Sequence, residues 1–204
     1  IFPLLARRML TWLAVRRVLA PWSRPRRFDR NLVVIGAGSG GLVTAYIAAA
    51  VKAKVTLVEK GRMGGDCLNT GCVPSKALLR SARFLADARR SRALGIREAS
   101  VDFDFADVMA RVNKAVTAIE PHDSVERYRS LGVDAQIGKA RKTSPYSVEI
   151  ETDEGTRTLT TRAIVIATGA RPLVPPIPGI EEVGCYTSDN IWGLRALPRR
   201  LLVL

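Results

Sequence analysis

The stretch from Leu32 to Glu59 constrains the fold more than any other. Leu32-Val33-Val34-Ile35 is a short, fully apolar run rich in β-branched residues, the pattern of a strand buried on both faces of a parallel sheet. It runs into Gly36-Ala37-Gly38-Ser39-Gly40-Gly41 and then into the alanine-rich segment Leu42–Val51, which reads as a helix. A second apolar run, Lys54–Val58, closes on Glu59. Strand, glycine turn, helix, strand and acid, in that order, form the dinucleotide-binding fingerprint in its structural context. Gly36 allows the tight turn, Gly38 lets backbone N–H groups approach a pyrophosphate, and Gly41 lets helix and strand pack closely. Ser39 and Gly40 stand at the helix N-terminus, whose positive dipole end faces the phosphates. Glu59, 23 residues after Gly36 and followed by Lys60, is placed to accept hydrogen bonds from a ribose.

A second informative stretch follows at once: Gly64-Gly65-Asp66-Cys67-Leu68-Asn69-Thr70-Gly71-Cys72-Val73-Pro74-Ser75-Lys76. Two cysteines five positions apart reach the roughly 5.5 Å Cα separation of a disulfide if the turn between them is tight, and Gly71 permits such a turn. Pro74 suits the first turn of a helix. A helix running on from there sets its positive dipole end beside Cys72 and favours a thiolate. Lys76, four residues after Cys72, shares its helix face and stabilises a thiolate or a negative charge on a bound cofactor. We read the pair as a redox-active disulfide. A structural disulfide or half of a metal site is the plainer alternative, although no histidine lies nearby to complete a zinc set.

The pattern Gly-Gly-x-Cys-x-x-x-x-Cys-x-Pro-x-Lys, so soon after the glycine turn, resembles the signature of the flavin-dependent pyridine nucleotide-disulfide oxidoreductases, the family of dihydrolipoyl dehydrogenase, glutathione reductase and mercuric reductase. The resemblance covers residues 31–204. It implies an α/β fold: a Rossmann-like FAD-binding domain with a parallel sheet, long helices and an antiparallel β-meander, truncated before the NAD(P) domain. It implies FAD as cofactor, with NAD(P)H bound by the missing domain. By the same resemblance Cys67 exchanges with substrate, Cys72 lies against the flavin, and Lys76 tunes both. Gly65 and Asp66 belong to the motif, and Asp66 stands where many members carry a threonine that touches FAD.

Gly138-Lys139-Ala140 resembles the family segment whose backbone meets the adenine of FAD, which singles out Ala140. Ala167-Thr168-Gly169-Ala170-Arg171 matches the family's Ala-Thr-Gly segment, implying cofactor contacts at Ala167, Thr168, Gly169 and Arg171; an ordinary strand-to-loop turn is the alternative there. The implied reaction passes electrons from NAD(P)H through FAD and the Cys67–Cys72 disulfide to a small-molecule disulfide or a metal ion. A homodimer is expected at full length, with a His-Glu acid–base pair from the other subunit, so the 204 residues alone are expected to be incomplete as an enzyme. The rival reading is a non-catalytic FAD-binding module, either isolated or tethered to a membrane.

The rest of the chain is read around these motifs. Residues 1–30 form a basic tail or linker, 31–198 the FAD domain with its disulfide, and 199–204 the first strand of a truncated NAD(P) domain, with Leu201–Leu204 as a strand cut short. Beginning at Ile1, the chain reads as a fragment. Residues 1–30 hold eight arginines against Asp29, about half of the net charge of +13. A membrane flank, an interfacial amphipathic helix or transit sequence, and a solvated linker all fit that tail. No run of about 18 uncharged apolar residues is present, and the expected location is the cytoplasm, either free or at the cytoplasmic face of a membrane. No nucleic-acid module or aromatic-interleaved basic platform is found, so no nucleic-acid partner is expected.

Ala77–Arg92 reads as a helix ended by Gly95, and Phe105–Leu131 as a helical stretch broken at Pro121. Val133–Ile137, Ser147–Thr152 and Arg157–Thr161 alternate apolar and polar residues and read as the meander, with Ala163–Ala167 a further buried strand. His122, the single histidine, has no companion at catalytic spacing and reads as structural or exposed; Cys185 is left over. No metal site is expected.

Overall fold

Val33 and Val34 lie fully buried at the centre of a six-stranded sheet, in a computed structural model that describes residues 2–204. Ile1, on which the fragment reading drew, lies outside the described residues. The strands are β1 (Arg30–Ile35), β2 (Val55–Glu59), β3 (Asp134–Ile137), β4 (Lys139–Ser144), β5 (Ser147–Thr152) and β6 (Gly155–Ile166), in the order β3-β2-β1-β6-β5-β4. β1 runs parallel to β2 and to β6, and β2 parallel to β3. β4, β5 and β6 are antiparallel neighbours. The expected fold class, a parallel sheet joined to an antiparallel meander, is the observed one.

Three assignments within it are corrected. Val133–Ile137 is not a meander strand: β3 pairs in parallel with β2, from Thr56 opposite Asp134 to Glu59 opposite Ile137. Alternation marks a strand but carries no information about its partner. The meander takes β4 instead, an outer strand whose one apolar residue, Ala140, gives almost no pattern to read. Arg157–Thr161 and Ala163–Ala167 are one continuous strand, β6. Its first half pairs antiparallel with β5, and its second half pairs in parallel with β1, from Leu32 opposite Ala163 to Ile35 opposite Ile166. The second half is less buried than its apolar run suggests: Ile166 is 65% exposed.

Neighbouring strand residues point to opposite faces, so Val33 and Val34 belong to different cores. On one face Val34, Leu57 and Ala135 meet Leu42, Ala45 and Ala49 of α2 (Ser39–Ala50) and Tyr128 of α6 (Val125–Ser130). On the other, Val33 and Val58 meet Val148, Ile150 and Leu159 of the meander. Each buried valine, leucine or isoleucine among them contributes roughly 1.5–3 kcal/mol.

At the strand beginnings the Arg30 guanidinium donates to Asp134 at 2.8 Å and to Thr56 Oγ1 at 2.7 Å, and Thr56 Oγ1 donates to Asp134 at 3.0 Å. Arg157 adds a 3.1 Å bond to the same carboxylate. This network joins β1, β2, β3 and β6 at the end of the sheet opposite the glycine turn.

The long helices are α4 (Cys72–Arg89) and α5 (Phe105–Ile119), packed on each other. A 3₁₀ turn, Glu120–Asp123, separates α5 from α6, the break expected at Pro121. A short α7 (Ile180–Val183) follows the proline-rich connection. Leu201–Leu204 pair with no strand among the described residues and are exposed.

Phe2–Leu19 form α1, with Trp12 and Leu13 exposed. Its arginine pairs fall on several sides rather than leaving one apolar stripe, which is not the pattern of an interfacial helix. Among the described residues no helix is long and apolar enough to cross a membrane.

Candidate functional site

The site lies at the carboxyl ends of β1, β2 and β6, where open α/β sheets hold ligands. β1 gives way to Gly36 at φ +102°, a conformation that side chains rarely adopt. A Cβ at Gly36 would lie 2.3 Å from the Ala167 carbonyl oxygen, so only glycine lets the two turns touch. The Ala167 N–H donates to the Ile35 carbonyl at 2.8 Å, and the Gly36 N–H to the Val58 carbonyl at 2.8 Å. Gly38 caps α2, and Gly41 rests against the Gly36 carbonyl, where a Cβ would come within 1.8 Å.

The cysteine stretch packs against this turn through backbone. The Gly64 N–H donates to the Ala37 carbonyl at 2.9 Å, and a Cβ at Gly65 would lie 2.5 Å from the Gly38 Cα. One Asp66 carboxylate oxygen lies 3.9 Å from where Gly169 would carry a Cβ. Glu59 accepts the Ala37 N–H at 2.7 Å and the Gly61 N–H at 2.8 Å, while its own carbonyl accepts the Gly138 N–H at 2.7 Å.

These contacts gather Gly36, Gly38, Gly41, Glu59, Gly65, Asp66, Ala167, Thr168 and Gly169 along one seam, with Ser39 and Gly40 standing between Gly38 and Gly41 in the first turn of α2. They do not draw in the others. Ala140 packs its side chain on the Val33 cluster. Lys60 and Arg171 are exposed, and their side chains make no hydrogen bond or ion pair with the described residues. Lys76 is exposed on α4, one turn after Cys72.

Cys67 sits in α3 (Gly65–Asn69), a short helix that the sequence does not announce, and Cys72 opens α4. Between them the Thr70 N–H donates to the Asp66 carbonyl at 2.9 Å. The chain then folds back at Gly71, where a Cβ would lie 2.8 Å from the Asp66 oxygen and 3.5 Å from the Cys67 Cα. The return sets the two free thiols side by side, Cys67 half-buried and Cys72 exposed. Hydrogen bonding with the Cys72 side chain pushes the Cys67 thiol pKa up, and burial and the Asp123 charge add to the rise.

Two residues here escape sequence reasoning. Asp123 follows the exposed His122 and bears on Cys67; burial raises its own pKa, which His122 partly offsets. Trp192 donates its indole N–H to the Thr70 carbonyl at 2.9 Å. Neither stands at a spacing that marks it, because both reach the cysteines only through the tertiary fold.

The family described as pyridine nucleotide-disulphide oxidoreductase matches residues 30–204. Among curated relatives, a mercuric reductase of Bacillus cereus is 32% identical over 177 residues, 87% of this chain and 27% of that protein. The mitochondrial dihydrolipoyl dehydrogenase of Dictyostelium discoideum is 34% identical over 180 residues, 86% of this chain and 36% of its own length. A leghemoglobin reductase of Vigna unguiculata is 37% identical over 182 residues, covering 86% and 34%. The chain thus spans about a third of the relatives it matches. Among solved structures, a Cu(II) complex of the HOCl-induced flavoprotein disulfide reductase RclA from Escherichia coli superimposes with a TM-score of 0.64 at 29% identity, covering 84% of this chain and 36% of that one. Match, fold and site together place the chain in the pyridine nucleotide-disulphide oxidoreductase family.

Proposed function

We propose that residues 31–198 are an FAD-binding domain carrying a redox-active Cys67–Cys72 pair, that residues 1–30 are its basic tail, and that 199–204 lead towards a nicotinamide-binding domain. The observation that carries the reading is the fold-back at Gly71, which sets two thiols together beside a seam lined by backbone rather than side chains. The seam fits a dinucleotide: glycines meet where any Cβ would clash, and the N-terminus of α2 opens onto it.

In this reading Gly36, Gly38, Ser39, Gly40, Gly41 and Gly65 border the diphosphate, Glu59 the ribose, and Ala167, Thr168 and Gly169 the flavin side. Asp66, Ala140, Lys60 and Arg171 are assigned to its margins. FAD, when bound, supplies two-electron transfer between NAD(P)H and the cysteine pair.

The chain's own residues perform the exchange. A Cys67 thiolate attacks one sulfur of a substrate disulfide, breaking that bond and releasing a thiolate that takes up a proton. Cys72 then attacks the Cys67 sulfur, closes the Cys67–Cys72 disulfide and frees the second substrate thiol. Cys72 suits the thiolate role, since it opens an 18-residue helix and has Lys76 one turn on. The raised Cys67 thiol needs a base, and the family resemblance assigns that task to a partner subunit in a homodimer. The substrate is a small-molecule disulfide or a metal ion, as the names of the relatives support. For the tail, eight arginines against Asp29 suit the anionic cytoplasmic face of a membrane, and binding to anionic but not neutral vesicles tests that assignment.

Mild oxidation followed by peptide mapping tests the pair. The expected product is an intramolecular Cys67–Cys72 disulfide with Cys185 left free. A Cys185 adduct with Cys67 and Cys72 still reduced would contradict the proposal.

A further inference from the structure

The indole N–H of Trp192 is shared between two carbonyl oxygens, that of Thr70 at 2.9 Å and that of Ser188 at 2.7 Å. Thr70 lies inside the turn that joins Cys67 to Cys72. Trp192 comes 122 residues later. Among the described residues, its bond to Thr70 is the only hydrogen bond that ties residues 170–204 to the rest of the fold.

The segment presenting the indole is braced from within. The Thr187 N–H donates to Asn190 Oδ1 at 2.7 Å, Asn190 Nδ2 to the Cys185 carbonyl at 3.3 Å, and the Ile191 N–H to the Thr187 carbonyl at 3.1 Å. The donor is therefore held in place before it meets the cysteine turn.

The peptide that carries the Thr70 carbonyl is planar, so fixing its oxygen fixes the Thr70–Gly71 unit. That unit decides where α4 starts and so where Cys72 stands relative to Cys67. Disulfides tolerate a narrow range of Cα separations and torsions. A turn already held near that range loses less freedom on closing, which raises the effective concentration of one thiol at the other.

We infer that Trp192 is a positioning residue for the Cys67–Cys72 pair, and that its hydrogen bond to Thr70 favours the closed disulfide over the open dithiol. The inference rests on the reading of that pair as a redox pair. With glutathione disulfide as oxidant, one cysteine first forms a mixed disulfide and releases one glutathione. The other cysteine then attacks the protein sulfur, breaks the bond to glutathione and closes the ring. Two protein thiols are oxidised and two glutathione thiols are produced.

The test is an equilibrium titration of the full chain against glutathione mixtures, read as the fraction of Cys67–Cys72 disulfide. Trp192→Phe keeps an aromatic ring and removes the donor. Thr56→Val, at the opposite end of the sheet, controls for lost stability alone. Because the bond is already made with the thiols free, only the part of it that strengthens on closure shifts the equilibrium. Trp192→Phe should move it about two- to fivefold towards the dithiol, fivefold being the worth of one whole hydrogen bond and about 20 mV at 29.6 mV per tenfold, with no shift for Thr56→Val. An unchanged Trp192→Phe midpoint, or an equal shift in Thr56→Val, would overturn the inference and leave the redox pair intact. A wild-type pair that never closes would overturn the reading beneath it as well.

A second measurement does not depend on the folding of Trp192→Phe. In the W12F/W22F protein the remaining indole is Trp192, and its emission should change when the pair is oxidised. Unaltered emission on full oxidation would also overturn the inference.

Discussion

The Glu59 carboxylate accepts the Ala37 N–H at 2.7 Å, across the glycine turn from its own strand. Its other oxygen accepts the Gly61 N–H at 2.8 Å. One side chain thus joins the exit of β1 to the exit of β2. Ala37 is fully buried, so Glu59→Ala leaves a buried donor without a partner. That substitution should lower the unfolding free energy by about 2–3 kcal/mol, and Glu59→Gln by about 1 kcal/mol. Urea denaturation with an unchanged slope checks both values.

Neighbouring glycines of the turn should behave oppositely. A Cβ at Gly41 would lie 1.8 Å from the Gly36 carbonyl oxygen, whereas one at Gly40 has nothing within 4 Å. Gly41→Ala forces α2 away from β1 and should destabilise by about 1–3 kcal/mol. Gly40→Ala lies in the first turn of α2 without a positive φ and should stabilise by about 0.5–1 kcal/mol. Thermal unfolding of the two variants separates close packing from simple chain flexibility.

Acid sensitivity should come from Asp134. Burial pushes its carboxyl up, but hydrogen bonds from Arg30 and Thr56 and the charges of Arg157 and Arg30 overcome that and hold it below the usual carboxylate range. A depressed folded value means that the stabilisation is present above the unfolded value near pH 4 and is lost as pH falls through the folded one. Asp134→Asn should cost about 1–2 kcal/mol at pH 7, and its stability should fall less steeply below about pH 4 than that of the wild type. Parallel slopes of stability against pH would contradict this origin.

The parts of the fold legible in the sequence are those whose pattern is local. β1, the glycine turn, α2 and β2 follow one another within thirty positions, and each meets its partner next along the chain. β6 shows where that fails. Its pattern changes from alternating to continuously apolar at the point where its partner changes from antiparallel β5 to parallel β1, so one strand reads as two. β4 was invisible because Lys139–Ser144 lies at the outer edge of the sheet, with little burial to select apolar residues. The cysteines and glycines of the site were legible because chemistry and backbone clearance fix their identities. Trp192 and Asp123 were not, since the tertiary fold alone brings them to the cysteine turn.

The Cys67 thiol should respond to pH unlike an ordinary thiol. Hydrogen bonding with Cys72, then burial, raises the Cys67 thiol above the ordinary range. In the reduced protein, alkylation of Cys67 should therefore rise at higher pH than that of an ordinary thiol. Cys72→Ala removes the largest cause, so the Cys67 profile should move to lower pH; mass-spectrometric counting of labelled Cys67 follows it directly. A profile that stays in place would assign the shift to burial instead.

The central claim, a Cys67–Cys72 redox pair beside a bound flavin, is tested most directly by the visible spectrum of the protein with FAD, recorded anaerobically before and after dithiothreitol. The account predicts flavin bands at the start and a new long-wavelength band on two-electron reduction, lost in Cys72→Ser; in Cys67→Ser, which has no disulfide to reduce, the band is expected before dithiothreitol is added. Flavin bands that never acquire the long-wavelength feature would contradict the pairing of Cys72 with the cofactor, and a protein that takes up no FAD would contradict the site itself.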